Sequence, residues 1–370
     1  MQDHTINQPP GQIAVVLGTR PEIIKLAHVL RSLAERASLV HTGQHWDPGL
    51  STTFLEEFHL SRPDLHLEVG GLSRAGQIAS GIRGLAEMFE KSRPRAVVVQ
   101  GDTNTTMAGA IAANALELPV VHVEAGLRSH DRRMPEEHNR VVTDHLADLL
   151  CAPTQVAVDN LVREGINSEK IVMTGNTVVE AVLDLMPDEN DRKHLVESMS
   201  LESGGFVLST FHRPENVDDP ERFSLILREL GSLPFPVVLP LHPRSRARVE
   251  SFGLADHLEE IRVVDPIGYS DFLGLGAESA FLVSDSGGVQ EEVSVYKRPV
   301  VVVRRSTERP EVLGTFSRLV EPTDISQTVG DWLGDLAQVH ADLSQIDSPY
   351  GDGTASQSIV AAISDLLESE

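Results

Sequence analysis

The chain has 370 residues, 41% hydrophobic and 23% charged, with a formal net charge of −24 at pH 7. That length points to two domains rather than one core, and the composition is that of a folded globular protein rather than a disordered one. The charge argues against a nucleic-acid surface and against anionic lipid, but backbone amides and a few basic side chains can still make a local pocket for a phosphorylated ligand. A single cysteine, Cys151, allows no disulfide framework and no zinc cluster. No apolar run approaches the ~20 residues that cross a bilayer. MQDHTINQPPGQ carries no basic-then-apolar leader and reads as a short disordered lead-in. The expectation is a cytoplasmic protein.

In chain order, β-branched apolar runs alternate with helical periods, the pattern of a parallel sheet built from βαβ units. The first half offers strands at IAVVL (13–17), SLVHT (38–42), AVVVQ (96–100), PVVHV (119–123), LLCA (149–152) and KIVMT (170–174). Between the first two, PEIIKLAHVLRSLAER puts Ile24, Ala27, Leu30 and Leu33 on one helix face. The second half repeats the scheme with FVLST (206–210), PVVLPL (236–241), IRVVD (261–265), AFLVS (280–284) and PVVVV (299–303). Near-continuous apolar strands suit sheets covered on both faces.

The charged stretch DENDRKHLVESM (188–199) holds few core-type residues, so the domain boundary is expected near 185–203, giving domains 1–187 and 188–370. SQSIVAAISDLLE reads as a closing helix and is a candidate to pack back on the first domain. The fold class expected is α/β, two Rossmann-like doubly wound domains facing across a cleft.

Several strand ends carry chemistry. IAVVL runs into GTRPEIIK, with Gly18 at a tight turn, Pro21 at the first helical position, and Arg20 and Lys25 beside the helix N-terminus. The full GxGxxG pattern is absent, so a nicotinamide dinucleotide site is not supported. AVVVQGDTNTT places Asp102 just after a buried strand, where Thr103, Asn104 or Thr105 can cap the next helix. PVVHVEAGLRSHDRRMPEEHNR puts Glu124 at a strand end and Glu136 twelve residues on, among Arg128, Arg132, Arg133 and Arg140. Convergent carboxylates raise one another's pKa and permit an acid and a base at neutral pH. The bland alternative, acids that begin a helix, fits Glu137 better than Glu124, because a glutamate ending a buried strand is costly.

In the second half FVLSTFHRPENV sets His212 and Arg213 past a strand, and PVVLPLHPRSR repeats the device with His242 and Arg244. LVSDSGGVQEE is a strand, a Ser-Gly-Gly turn and a helix, so amides of 286–288 can face a diphosphate. Glu292, expected on that helix's first turn, can accept two ribose hydroxyls. VRRSTERPEVL adds Arg304 and Arg309 at the same edge. No His/Asp/Glu spacing matches a metal cage, so no metal is expected.

The ordered set GTRPEIIK, TGQH, GDTNTT, HVEAGLRS, MPEEHNR, TGNTVVEA, HRPEN, LHPR, SDSGGVQEE and TERPE, spread over roughly 13–320, closely resembles the non-hydrolysing UDP-N-acetylglucosamine 2-epimerase family. The resemblance implies the two-domain GT-B fold. It matches Asp102, Glu124 and Glu136 to catalytic carboxylates and His212 to an active-site histidine. Arg20, Lys25, Ser286, Gly287, Gly288, Glu292 and Arg309 match positions that hold UDP, and Ile267 and Phe272, in PIGYSDF, match the segment framing the uracil. Arg213 and His242 match polar residues lining the cleft or a neighbouring effector site.

The activity implied is elimination of UDP to 2-acetamidoglucal and re-addition after protonation from the other face. It implies UDP-GlcNAc as the ligand, no cofactor, no nucleic-acid or membrane partner, and a homodimer. The alternatives are a hydrolysing relative that releases free N-acetylmannosamine, a GT-B glycosyltransferase, and a UDP-sugar sensor without activity. The chain departs from the family pattern at Pro214 in HRPEN, at His28 in the first helix, and in WDPGLS after TGQH.

Overall fold

The computed structural model describes residues 12–45, 55–332 and 334–369. The lead-in and WDPGLS therefore lie outside the described residues. In the first half the elements are β1 (Ile13–Leu17), α1 (Arg20–Leu33), β2 (Ala37–His41), β3 (Leu65–His66), α2 (Arg74–Ser92), β4 (Ala96–Gln100), α3 (Asn104–Ala115), β5 (Val120–Val123), α4 (Pro135–Leu146), β6 (Leu149–Ala152), α5 (Gln155–Arg163), β7 (Ile171–Met173) and α6 (Val178–Leu185). There follow α7 (Glu189–Ser198), β8 (Val207–Thr210), α8 (Pro214–Val217), α9 (Pro220–Gly231), β9 (Val237–Pro240), α10 (Pro243–Phe252), β10 (Ile261–Val264), α11 (Tyr269–Glu278), β11 (Phe281–Ser284), α12 (Gly287–Tyr296), β12 (Val300–Val303), β13 (Ser317–Val320), α13 (Ile325–Trp332), α14 (Leu336–Ser344) and α15 (Ala355–Ser369).

The chain divides into two compact units, Met1–Ala181 with Tyr350–Glu370, and Val182–Pro349. The division precedes the 187/188 position expected from the sequence, and Leu185 and Arg192 both bond to α11 of the second unit. Ser270 donates to the Leu185 carbonyl at 2.9 Å, and Arg192 bonds the Pro187 carbonyl at 2.9 Å and Glu278 at 2.8 Å.

The first unit holds a parallel sheet in the order β3-β2-β1-β4-β5-β6-β7. Every residue of β1, β4, β5 and β6 is buried, as apolar runs covered on both faces require. On α1 the buried face holds Ile23, Leu26, Ala27, Val29, Leu30 and Leu33, and Pro21 sits in the first turn, where no amide hydrogen is needed. The last helix, α15, packs on α1 and β6. Its first turn is held by Glu180, which accepts from the Ser356 amide at 3.0 Å and hydroxyl at 2.8 Å.

The second unit holds a parallel sheet in the order β10-β9-β8-β11-β12-β13. Its core joins Val207, Val237, Leu239, Phe281, Val283, Val301 and Val303 of the sheet to Phe223, Ile226, Leu227 and Leu230 of α9. Both strand orders reverse at a central pair, β1/β4 and β8/β11, with β1-β2-β3 or β8-β9-β10 running outward on one side and the remaining strands on the other, the Rossmann arrangement.

Candidate active site

An open parallel sheet binds ligands beyond the carboxyl ends of its strands, where the strand order reverses. In the first unit the reversal lies between β1 and β4, and the segments leaving those strands carry Arg20 and Asp102. In the second it lies between β8 and β11, whose exits carry His212 and Arg213, and Asp285 to Gly288.

Asp102 is 29% exposed and pairs with Arg140, whose guanidinium is otherwise buried and bonds Glu137 at 2.6 Å. Asn139 fixes the same loop from α4, donating to the Asp102 carbonyl at 2.9 Å. Glu124 is buried at the end of β5, pairs with Lys25 of α1, and accepts from the Asn176 amide at 3.3 Å. Its φ is +65°, an uncommon conformation for a residue with a β-carbon. Below these loops the buried His122 bonds Asp144 at 2.6 Å and the Gly101 carbonyl at 2.8 Å, and Asp144 also accepts from the Gly126 amide at 3.3 Å. One dyad thus pins the segments that carry Asp102 and Glu124.

The two neighbouring acids of MPEEHNR separate. Glu137 is buried and accepts from the Ser129 and His130 amides at 3.0 and 2.9 Å. Burial opposes its charge, but Ser129, Arg140 and His130 outweigh it and hold the carboxyl below its usual range. Glu136 stands half-buried on the first turn of α4. Arg128 is used within the scaffold, bonding Asp144 at 2.7 Å and Glu164 at 2.6 Å.

Sequence reasoning passed over Glu22. It is 1% exposed and its carboxyl receives Gly18, Thr19, Thr103 and Thr106. Thr103 also caps α3. Beside it Gln44 accepts from the Thr105 amide and hydroxyl, both at 2.9 Å, joining the exit of β2 to the same cluster.

In the second unit the buried Asp285 organises the turn after β8. It accepts from the His212 amide at 3.1 Å, the Arg213 amide at 3.0 Å and Asn216 at 3.0 Å, and lies 3.2 Å from His212 Nδ1. Burial works against its charge, yet His212, Asn216 and the Arg213 amide hold the carboxyl below the ordinary range. The imidazole is 54% exposed. The sequence does not single out Asp285 or Asn216; SDSGG stands out there for Ser286 and its two glycines.

Ser286 caps α12, so Gly287 and Gly288 open the helix with their amides directed out of its N-terminus. Arg309 lies beside them, buried, bonding Glu291 at 2.9 Å and pairing with Glu308, which also pairs with Arg304 at 2.7 Å and stands 3.7 Å from Arg213. Three guanidiniums, of Arg213, Arg304 and Arg309, thus surround the Glu308 carboxylate beside the turn. Glu292 falls on the second turn of α12 rather than the first, since the helix opens at Gly287. Tyr269 donates to it at 3.0 Å, linking it to the PIGYSDF segment. Ile267 and Phe272 are half-buried there. His242 is exposed and caps α10, its Nδ1 accepting from the Arg244 amide at 3.2 Å. Among the described residues no cluster of His, Cys, Asp and Glu suits a metal ion, and no helix is long and apolar enough to cross a membrane.

Fold and strand-end residues together define a Rossmann-like α/β enzyme with strand-end carboxylates in one unit and a Ser-Gly-Gly turn opening a helix in the other. The family model described as UDP-N-acetylglucosamine 2-epimerase matches residues 30–364. A UDP-N-acetylglucosamine 2-epimerase of Methanococcus maripaludis is 37% identical over 94% of this chain and 97% of its own. The UDP-2,3-diacetamido-2,3-dideoxy-D-glucuronate 2-epimerase of Pseudomonas aeruginosa is 36% identical over 96% of this chain and 100% of its own. The crystal structure of Methanocaldococcus jannaschii UDP-GlcNAc 2-epimerase in complex with UDP-GlcNAc and UDP superposes with a TM-score of 0.85 at 36% identity, covering 96% of this chain and 99% of that one. The chain belongs to the UDP-N-acetylglucosamine 2-epimerase family. The fold agrees with the GT-B class expected from the sequence.

Proposed function

We propose that this chain catalyses the reversible 2-epimerisation of UDP-N-acetylglucosamine to UDP-N-acetylmannosamine. The observation that carries the proposal is the placing of Asp102 and Glu124 at the ends of adjacent strands, with Arg140 and Lys25 against them. Family membership over most of the chain supports it.

The C2 proton of the sugar is too weakly acidic for simple removal and return. In the proposed reaction a carboxylate takes that proton as the C1–O bond to UDP breaks. The C2–H electrons become the C1=C2 bond of 2-acetamidoglucal, and the C1–O pair leaves with UDP. A proton then reaches C2 from the other face, and a UDP oxygen rebuilds the bond to C1. Asp102, Glu124 and Glu136 are the groups assigned to proton removal and delivery. Lys25 pairs with Glu124 and Arg140 with Asp102, which holds both carboxylates in place at the strand ends.

The departing diphosphate needs electrostatic support. Ser286, Gly287 and Gly288 offer it as a helix N-terminus and Arg20, Arg213 and Arg309 as cations, with His212 assigned as the active-site histidine at the same edge. Glu292 is assigned to ribose hydroxyls, Ile267 and Phe272 to the uracil, and His242 to the polar rim.

The likeness to the Pseudomonas aeruginosa enzyme favours one second reading, a UDP-sugar altered at C3 and C6. Parallel turnover measurements on UDP-GlcNAc and UDP-2,3-diacetamido-2,3-dideoxyglucuronate separate the two, the proposal requiring the higher kcat/KM for UDP-GlcNAc. A hydrolysing outcome is separated by product: free N-acetylmannosamine accumulating with UDP contradicts the proposal. We further propose a cytoplasmic homodimer; a monomer mass by light scattering at working concentration contradicts the dimer.

A further inference from the structure

We propose that Glu22 is a positioning residue for the reaction, a buried carboxyl clamp that fixes the turn leading to Arg20 against the loop that carries Asp102. The inference rests on the epimerase reading above. Glu22 Oε2 accepts from the Gly18 amide at 2.9 Å and the Thr19 hydroxyl at 2.8 Å, both on the exit of β1. Oε1 meets the Thr103 hydroxyl at 2.9 Å and the Thr106 hydroxyl at 3.3 Å, both on the exit of β4. The residue thus spans the point where the strand order reverses, and Thr103 is next to Asp102.

Proton counting assigns the form that does this. Thr106 has one hydroxyl proton, and its nearest acceptor is the Gln100 carbonyl at 2.6 Å. With that proton used, Thr106 Oγ1 and an ionised Glu22 would face each other as two acceptors. A protonated Glu22 donates to Thr106 and keeps Oε2 for Gly18 and Thr19, so all four contacts are met at once. Burial acts in the same direction, raising the carboxyl to about 7 against the hydrogen bonds it accepts from Thr19, Gly18 and Thr103. Ionisable groups on the surrounding elements are Arg20 and Lys25 on α1, Asp102 before α3, and His41 and His45 on and after β2. Lys25 pairs with Glu124, Asp102 with Arg140, and burial holds His41 neutral with a pKa near 3.

Glutamine reproduces the protonated carboxyl: its oxygen accepts from Gly18 and Thr19, and its amide donates toward Thr106. The test compares wild type, Glu22→Gln and Glu22→Ala in UDP-GlcNAc turnover across pH, in UDP binding, and in carboxyl infrared titration. The expected result is a wild-type kcat that falls as pH rises through about 7. Glu22→Gln is expected to keep the low-pH kcat while losing that limb. Glu22→Ala is expected to lose about tenfold to a hundredfold in kcat with UDP affinity little changed, the scale of a displaced catalytic group. Wild-type turnover in Glu22→Ala overturns the inference, as does a limb retained in Glu22→Gln or a Gln variant as impaired as Ala. If the alanine variant does not fold, the glutamine profile decides alone. A wild-type chain inert toward UDP-GlcNAc sinks the epimerase reading instead. The infrared comparison stands apart from activity: no carboxyl titrating near neutrality that vanishes in Glu22→Gln also overturns the clamp.

Discussion

Asp285 holds His212 twice, accepting its backbone amide at 3.1 Å and standing 3.2 Å from its Nδ1. The carboxylate selects the tautomer with the proton on Nδ1 and turns Nε2 into the group free to meet a ligand. Asp285→Asn is expected to lower kcat by at least about tenfold, because the amide can present its N–H to Nδ1 and favour the other tautomer. Steady-state turnover checks this; an unchanged kcat would show that His212 needs no such orientation.

Asp102→Asn and Glu124→Gln keep side-chain shape while removing a proton acceptor. Each is expected to lose at least about a hundredfold in turnover while still binding UDP, the scale of a general acid or base. Near-normal rates in both variants would make the acids structural. Glu137→Gln is the contrasting case. Its carboxylate anchors Ser129, His130 and Arg140, so a drop in stability of about 1–3 kcal/mol is expected, seen in denaturant unfolding.

A β-carbon on Gly287 would come within 3.1 Å of Glu308 Oε1 and 3.3 Å of Arg309 Nη1. Both groups are buried and paired, so they have little room to move. Gly287→Ala is expected to weaken UDP binding about tenfold, or about 1.4 kcal/mol, by calorimetry. Unchanged affinity would mean the turn does not meet the diphosphate.

The sheets were legible because their strands are short apolar runs, and observed ends fall within a residue or two of those expected. Two strands escaped. β3 has two residues, too few for any pattern, and β13 carries Arg318, exposed and stacked 4.9 Å from the Trp332 ring, as an edge strand allows. At the site, Asp102, Glu124 and His212 stood out because each follows a buried strand. Glu22 did not, since an acid in a helix's first turn has an ordinary explanation in the macrodipole. Asp285, His122 and Tyr269 were hidden for a related reason. Chain position does not tell which way a polar side chain turns, and their partners lie at sequence distances of 73, 22 and 23 residues.

Glu22 also predicts a stability trend. Burial raises its carboxyl from the ordinary 4.5 to about 7, so the folded state retains a proton that the unfolded chain releases. The contribution is fully present below about pH 4.5 and is lost as pH rises through about 7. The loss is on the order of 3 kcal/mol at its upper limit. Denaturant unfolding at pH 5 and pH 8 checks it: wild type should weaken relative to Glu22→Gln between them. Parallel behaviour of the two proteins would contradict the assignment.

The most direct measurement is proton NMR of UDP-GlcNAc incubated with the protein in heavy water. Epimerisation through a glycal predicts loss of the C2 proton signal to deuterium together with the appearance of UDP-N-acetylmannosamine. Free N-acetylmannosamine released with UDP, or an unexchanged C2 proton in a substrate that is being converted, would contradict it.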